Sequence, residues 1–239
     1  MSRAMRTVCA GLVVIASAGC SRPPLGQFCP DVAEGELVIT EIRGPQTGGD
    51  NRGQWFEVYN ASDRAVDLRG LRIELYNLQG ALAPPARPIL VRGEDVVVQP
   101  DEYVTFGHHD PAALPEFVNY SFITDYFTSP SLNEDEVLEL LDLGLEPEDF
   151  GGRQPKDLER SGRIDLVACD ALIDRVRYED LPREGTLSFD GALRPDAVDN
   201  DELENFCTNE AEEELAPGEP RNFIGLPGSP QEENPACED

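Results

Sequence analysis

The stretch QWFEVYNASDRAVDLRGLRIEL, residues 54–75, decides the fold. Its first half alternates: Phe56 and Val58 point one way, while Trp55, Glu57 and Tyr59 point the other. That period of two belongs to a strand, because successive side chains of an extended chain leave opposite faces. Asn60-Ala61-Ser62-Asp63 then supplies turn chemistry, since short polar side chains bond their own backbone and release it from the ladder. A short run, Ala65–Leu68, and a longer one from Leu71 follow, the latter with Leu71, Ile73 and Leu75 on one face. The stretch therefore reads as strand, turn, short strand and strand. Trp55, the chain's one tryptophan, opens it as a large packing element.

The same signature recurs outward. ELVITEI (36–42), DVVVQP (95–100), EYVTFG (102–107), EVLELLD (136–142), RIDLVAC (163–169) and LIDRVRY (172–178) are rich in β-branched, leucine and aromatic residues. Gly- and Pro-bearing turns such as Gly44-Pro45, Gly48-Gly49-Asp50 and Pro100-Asp101 separate them. With 21 glycines and 20 prolines in 239 residues, few windows are left for helices, and 111–115 is suited to a single helical turn. Many short strands argue for an all-β, antiparallel sandwich rather than alternating βα units. A single core domain over 36–206 is expected, with insertions at about 108–133 and 144–162 and an acidic C-terminal segment, 207–239.

The N-terminus gives an address. MSRAMR is basic, TVCAGLVVIASAG is apolar and small, and together they read as a signal peptide over residues 1–19. Two cleavage readings compete: Ala16-Ser17-Ala18 is a small-x-small site for an ordinary signal peptidase, whereas Ser17-Ala18-Gly19-Cys20 resembles the bacterial lipobox, with Ser17 where leucine is usual, and makes Cys20 the expected lipidation site. Residues 20–35 would then be a lipid-anchored linker, and Ser21 in place of aspartate favours the outer membrane. The 47 acidic residues against 19 basic ones, a formal net charge of −28, repel phosphate backbones and argue against nucleic acid as a partner. Once Cys9 leaves and Cys20 is acylated, Cys29, Cys169, Cys207 and Cys237 remain in an oxidising compartment. They are disulfide candidates with three pairings. Cys207–Cys237 would staple the acidic segment and Cys29–Cys169 would pin the N-terminal lead, but the order of the cysteines does not choose.

A family resemblance covers most of residues 36–230. LVITEI, a Gly/Asp loop and then WFEVYNASDRAVDLRGLRIEL look like the lamin-tail domain, with Glu41, Trp55, Glu57, Tyr59, Asn60, Asp67, Leu68 and Gly70 matching in turn. Leu71 stands where tryptophan is often found. VVQPDEYVTF (97–106), LNEDEVLELLD (132–142), RIDLVACDALIDRVRY (163–178), the closing stretch 186–207 and IGLPGSPQ (224–231) resemble later parts of bacterial lipoprotein members. The resemblance implies an immunoglobulin-like β-sandwich. It also implies association with hydrolases, since such domains occur fused to secreted nucleases and phosphatases.

Signals for chemistry are sparse. His108 and His109 are adjacent beside Asp110, but neighbours on a strand face opposite ways and chelate one ion poorly. Asp196, Asp199, Asn200 and Asp201 gather hard oxygens that would suit calcium, without the alternating spacing of an EF-hand loop. The run 210–220, EAEEELAPGEP, reads as a solvated acidic loop. The sequence holds no nucleophile elbow, metalloprotease helix, P-loop or dinucleotide fingerprint. The expected function is a lipid-anchored envelope protein presenting a non-catalytic sandwich to an envelope protein or glycan, with no cofactor. The alternative is a calcium-dependent accessory or hydrolase-associated envelope protein.

Overall fold

The computed structural model describes residues 29–47, 53–78, 87–92, 96–110, 114–121, 158–209 and 228–237. Within them the chain forms β1 (Leu37–Arg43), β2 (Trp55–Asn60), β3 (Val66–Asp67), β4 (Leu71–Asn77), β5 (Arg87–Leu90) and β6 (Val97–Val98). It continues with β7 (Tyr103–Gly107), β8 (Tyr120–Ser121), β9 (Gly162–Ala168), β10 (Ala171–Tyr178), β11 (Thr186–Phe189) and β12 (Phe206–Asn209). A six-stranded sheet, ordered β12-β11-β1-β2-β7-β8, faces a four-stranded sheet, ordered β10-β9-β4-β5, and β3 pairs with β6 apart from both. The architecture is an all-β sandwich.

The core lies between the sheets. Leu37, Ile39, Ile42, Phe56, Val58 and Phe106 come from the larger one, and Leu71, Ile73, Leu75, Ile164 and Ile173 from the smaller. Phe56 and Phe106 stack across β2 and β7 with ring centroids 5.2 Å apart. This is the face expected for Phe56, Val58, Leu71, Ile73 and Leu75, and all five are buried. Asn60 explains why the alternating run stops where it does. Its amide donates to the carbonyls of Arg64 and Val98, and its oxygen accepts from the Ser62 amide and hydroxyl, so one side chain ties the turn to β6.

Several elements differ from the sequence reading. The short runs shrink to Val66–Asp67 and Val97–Val98, and β8 joins β7 in parallel, a departure from a wholly antiparallel sandwich. β5 (RPIL), β11 (TLSF) and β12 (FCTN) were not expected as strands; at four residues each they carry too few apolar positions to show a period. The strand expected at 136–142 and the loop 210–220 lie outside the described residues, as do Cys20 and the rest of 1–28.

Three buried hydrogen bonds around Asp174 and Asn200 connect the layers. β1 shifts register between Ile39 and Glu41, and β10 between Leu172 and Asp174. At these bulges the Ile39 amide donates to the Asp174 carboxylate at 2.7 Å, and Asn200 donates to both the Ile39 carbonyl (3.1 Å) and Asp174 (2.8 Å). The half of β1 that β11 does not cover thus finds its backbone partners in side chains.

Trp55 is fully buried, but not between the sheets. It packs with Phe117 and Val118 on the outer side of β2, beneath the segment that follows β7. Trp55→Ala should cost about 3–5 kcal/mol, the usual range for emptying a buried aromatic site. Denaturant unfolding checks this, and an unchanged midpoint would show that Trp55 is dispensable to packing.

A candidate binding groove beside a buried carboxylate pair

The outer face of the six-stranded sheet is polar and yet covered. Cross-strand neighbours place Cys207, Ser188, Glu41, Glu57 and Thr105 in one row over β12, β11, β1, β2 and β7. Both glutamates are 0 % exposed. Like charges directly opposite one another in a sheet repel, and burying them without hydrogen bonds costs more still. The donors come from neighbouring hydroxyls and from the C-terminal segment 228–237, which crosses this face as a strap.

Glu41 accepts from the hydroxyls of Thr186 (2.5 Å) and Ser188 (2.7 Å) and from the Ser229 amide (3.1 Å). Glu57 accepts from the Thr40 hydroxyl (2.9 Å) and the Gln231 amide (2.5 Å). Asn234 donates to the Thr40 carbonyl at 3.0 Å and fixes Ser229 by accepting from its hydroxyl at 2.6 Å. Gly228, at φ 98°, begins the strap, and a Cβ there would stand 2.7 Å from a Glu41 carboxylate oxygen. Gly191 marks the other close approach, since a Cβ would overlap the Asn234 carbonyl. A disulfide from Cys237 to Cys207 ends the strap on β12 (Cα–Cα 5.8 Å), and the Cys237 amide donates to Asp190 at 2.9 Å.

Burial pushes the Glu41 carboxyl up to about 7, against the pull of Ser188, Thr186 and Ser229 and of the Arg43 charge. Burial, then the charge of Glu41, holds Glu57 well above the ordinary carboxylate range, while the Gln231 amide and Thr40 hydroxyl oppose this. The pair therefore keeps a proton near neutrality. A carboxyl raised by folding binds protons more tightly in the native state, so its stability contribution is complete below the unfolded value, 4.5, and is lost as pH rises through about 7. Stability should fall by about 3 kcal/mol over that window on account of Glu41. Asp174, raised by burial to about 6, adds to the decline lower in the window. Glu41→Gln should flatten the upper part of the curve, which urea unfolding at intervals between pH 5 and 8 measures. An unaltered slope in that variant would place the titration elsewhere.

Beside the pair the same face opens into a groove of about 880 Å³. Tyr59 and Tyr103, adjacent on β2 and β7 with ring centroids 5.0 Å apart, form its floor. Its walls are the 101–102 turn, Asn119, the loop 191–195 after β11, and residues 231–233 of the strap. The Tyr59 hydroxyl donates to Asp101 at 2.6 Å, and Arg194 reaches the same carboxylate at 3.6 Å. Gln231 links pair and groove: its amide serves Glu57, and its side chain donates to the Glu116 carbonyl at 3.2 Å while lining the cavity. Burial first, then the negative charges of Glu57 and Glu233, raises the Tyr103 hydroxyl far above its ordinary value, so it stays a neutral donor.

The residues singled out in the sequence fall in several places. Cys29 bonds Cys169 (Cα–Cα 5.7 Å), where Cys169 turns β9 into β10 with a φ of 51°, and Cys207 bonds Cys237. Asp196 caps its own turn by accepting from the Val198 amide, and Asp199 and Asp201 are exposed. Asn200 does not join them at the surface, because its amide is turned inward to Asp174 and Ile39. His109 packs edge-on against Phe117, over the Trp55 cluster. Among the described residues, no group of three or more His, Cys, Asp and Glu side chains is placed to hold a metal ion. The groove has no local signature in the sequence. The visible trace was Glu41 and Glu57 inside otherwise apolar strands, but nothing local signals that a segment about 170 residues further on will cover them.

Comparison with family models, with curated proteins and with solved structures gives no match to this chain.

Proposed function

We propose that this chain is a non-catalytic binding module of the bacterial cell envelope, anchored through lipid on Cys20, with a sandwich of the lamin-tail type. The groove over Tyr59 and Tyr103 is the observation that carries this reading. Open concave sites with an aromatic floor and a few placed polar groups are where rigid sandwiches recognise ligands. Both disulfides fit an oxidising compartment beyond the cytoplasm. Against catalysis stands the sealing of the proton-holding carboxyls, Glu41 and Glu57, which serve the strap and meet no solvent. Perturbed carboxyls often mark active sites, but a general acid must reach its substrate. The partner is an envelope component, a protein or a glycan.

Cys20→Ser should release the chain from membranes in detergent phase partition, and unaltered partitioning would remove the anchor from this reading. The released form should still bind purified envelopes. Tyr103→Ala in that background should weaken this binding about tenfold or more, as truncation of an aromatic anchor does. Equal binding by the two forms would move the function away from the groove.

A further inference from the structure

The strap is held at its two ends by contacts of different kinds. Toward its C-terminus the Asn234 side chain donates to the Thr40 carbonyl (3.0 Å) and the Gly191 amide donates to the Pro235 carbonyl (3.1 Å). The Cys237 amide donates to Asp190 (2.9 Å), and the disulfide closes on Cys207. The Cys237 and Ala192 amides hold the Asp190 carboxyl below its ordinary value, so this anchor stays ionised near neutrality. Toward its N-terminus the strap rests on the buried acids instead, Ser229 on Glu41 and Gln231 on Glu57. These acids are cross-strand neighbours, and their hydrogen-bond donors are hydroxyls and backbone amides. The elements packed around them carry Arg43 on β1, Tyr103 on β7, Glu116 after β7, and Glu232 and Glu233 on the strap. On that face β11 offers Thr186 and Ser188, and β12 offers Cys207 in its disulfide. Arg43 is the one cation in this set, and its guanidinium also donates to the Gly53 carbonyl.

We infer that residues 229–233 are a proton-operated latch: they lie closed while Glu41 and Glu57 share a proton, and its loss lifts them from the sheet about a hinge at 234–237. Without that proton, two negative charges stand opposite one another beneath main chain, and two amides and three hydroxyls cannot replace the hydration of both. Lifting the segment admits water to them. The bond from the Ser229 hydroxyl to Asn234 spans the hinge and is given up on opening, as is that from Gln231 to the Glu116 carbonyl. Burial holds Glu41 up at about 7, and burial with the charge of Glu41 holds Glu57 well above its ordinary range. The closed form therefore binds the proton more tightly than the open one. Opening becomes easier as pH rises from the ordinary carboxyl value, 4.5, to about 7, and levels off above. Gln231, Glu232 and Glu233 wall the groove, so opening removes that wall while the strands stay paired. The latch is a property of the strap; its effect on recognition rests on the groove being the binding face.

The test is amide hydrogen exchange of the full-length protein in detergent, with protection corrected for the intrinsic effect of pH. Protection of the Ser229 and Gln231 amides should fall about tenfold or more between pH 5 and 8. At pH 8 it should lie far below that of Val58 and Val104, paired on β2 and β7, and below that of Cys237 at the hinge. Glu41→Gln with Glu57→Gln should leave the protection of Ser229 and Gln231 level across that range. Should the double variant not fold, Glu41→Gln alone should make the fall shallower. Equal protection of Ser229, Gln231 and Val58 at every pH would overturn the latch, since the strap would then leave only when the sandwich unfolds. A pH dependence that the glutamine variants leave unaltered would overturn it too, and so would Cys237 opening together with Ser229. Envelope binding by the Cys20→Ser form should weaken as pH rises from 5 to 8, and less so with Glu41→Gln added. Binding indifferent to pH, alongside exchange that follows the pair, would overturn the effect on the groove. Absence of envelope binding at every pH would count against the groove reading, and the exchange result would still decide the latch.

Discussion

The structure depends on two glutamates that must be satisfied without water. Glu41 and Glu57 are opposite one another on the two central strands of the larger sheet, and neither is exposed. Left unpaired, buried carboxyls cost several kcal/mol each, so the fold supplies donors and keeps a proton on the pair. Thr186, Ser188 and Thr40 provide part of that supply from the strands themselves. The remainder comes from backbone amides of Ser229 and Gln231, which only a segment lying flat across the sheet can present. From this follow the glycine at 228, the close passage at Gly191 and the covalent closure at Cys207.

That covering segment also explains the burial of β1, whose seven residues are all inaccessible. β4, by contrast, keeps the alternation of a strand with one wet face. Its outward side carries Arg72, Glu74 and Tyr76, beside Arg163, Asp165 and Arg175 of β9 and β10, a lattice of ion pairs in which Asp165 takes both arginines. The two outer faces thus handle polarity differently. One pairs its charges among partly exposed side chains around the buried Asp165, and the other hides two acids under main chain.

Much of this was legible in the sequence where the physics is local. The alternation of 55–60 and 71–76, the turn at Asn60 and the inward set Phe56, Val58, Leu71, Ile73 and Leu75 follow from periods and turn chemistry that act within a few residues. Trp55 was readable as packing, but the Phe117–Val118 cluster that receives it comes from a segment with no strand pattern of its own. β5, β11 and β12 escaped because four residues cannot display a period and their pairing partners are remote. The groove escaped for a related reason. Its residues come from 59, 101–103, 119, 191–195 and 231–233, and only the register of β2 against β7 and the path of the strap bring them together. Asn200 shows the converse hazard: a residue inside an acidic run that reads as surface was drawn into the core by a strand bulge needing a donor.

The order of these parts along the chain sets an order of assembly. Every strand among the described residues precedes residue 228, so a chain made from its N-terminus onward presents these strands before the covering segment exists. Until that segment arrives, Glu41 and Glu57 lack the backbone amides of Ser229 and Gln231. The groove lacks its strap wall at that stage, because Gln231, Glu232 and Glu233 supply it. A chain that ends before the strap therefore carries the strands of the sandwich without a complete groove.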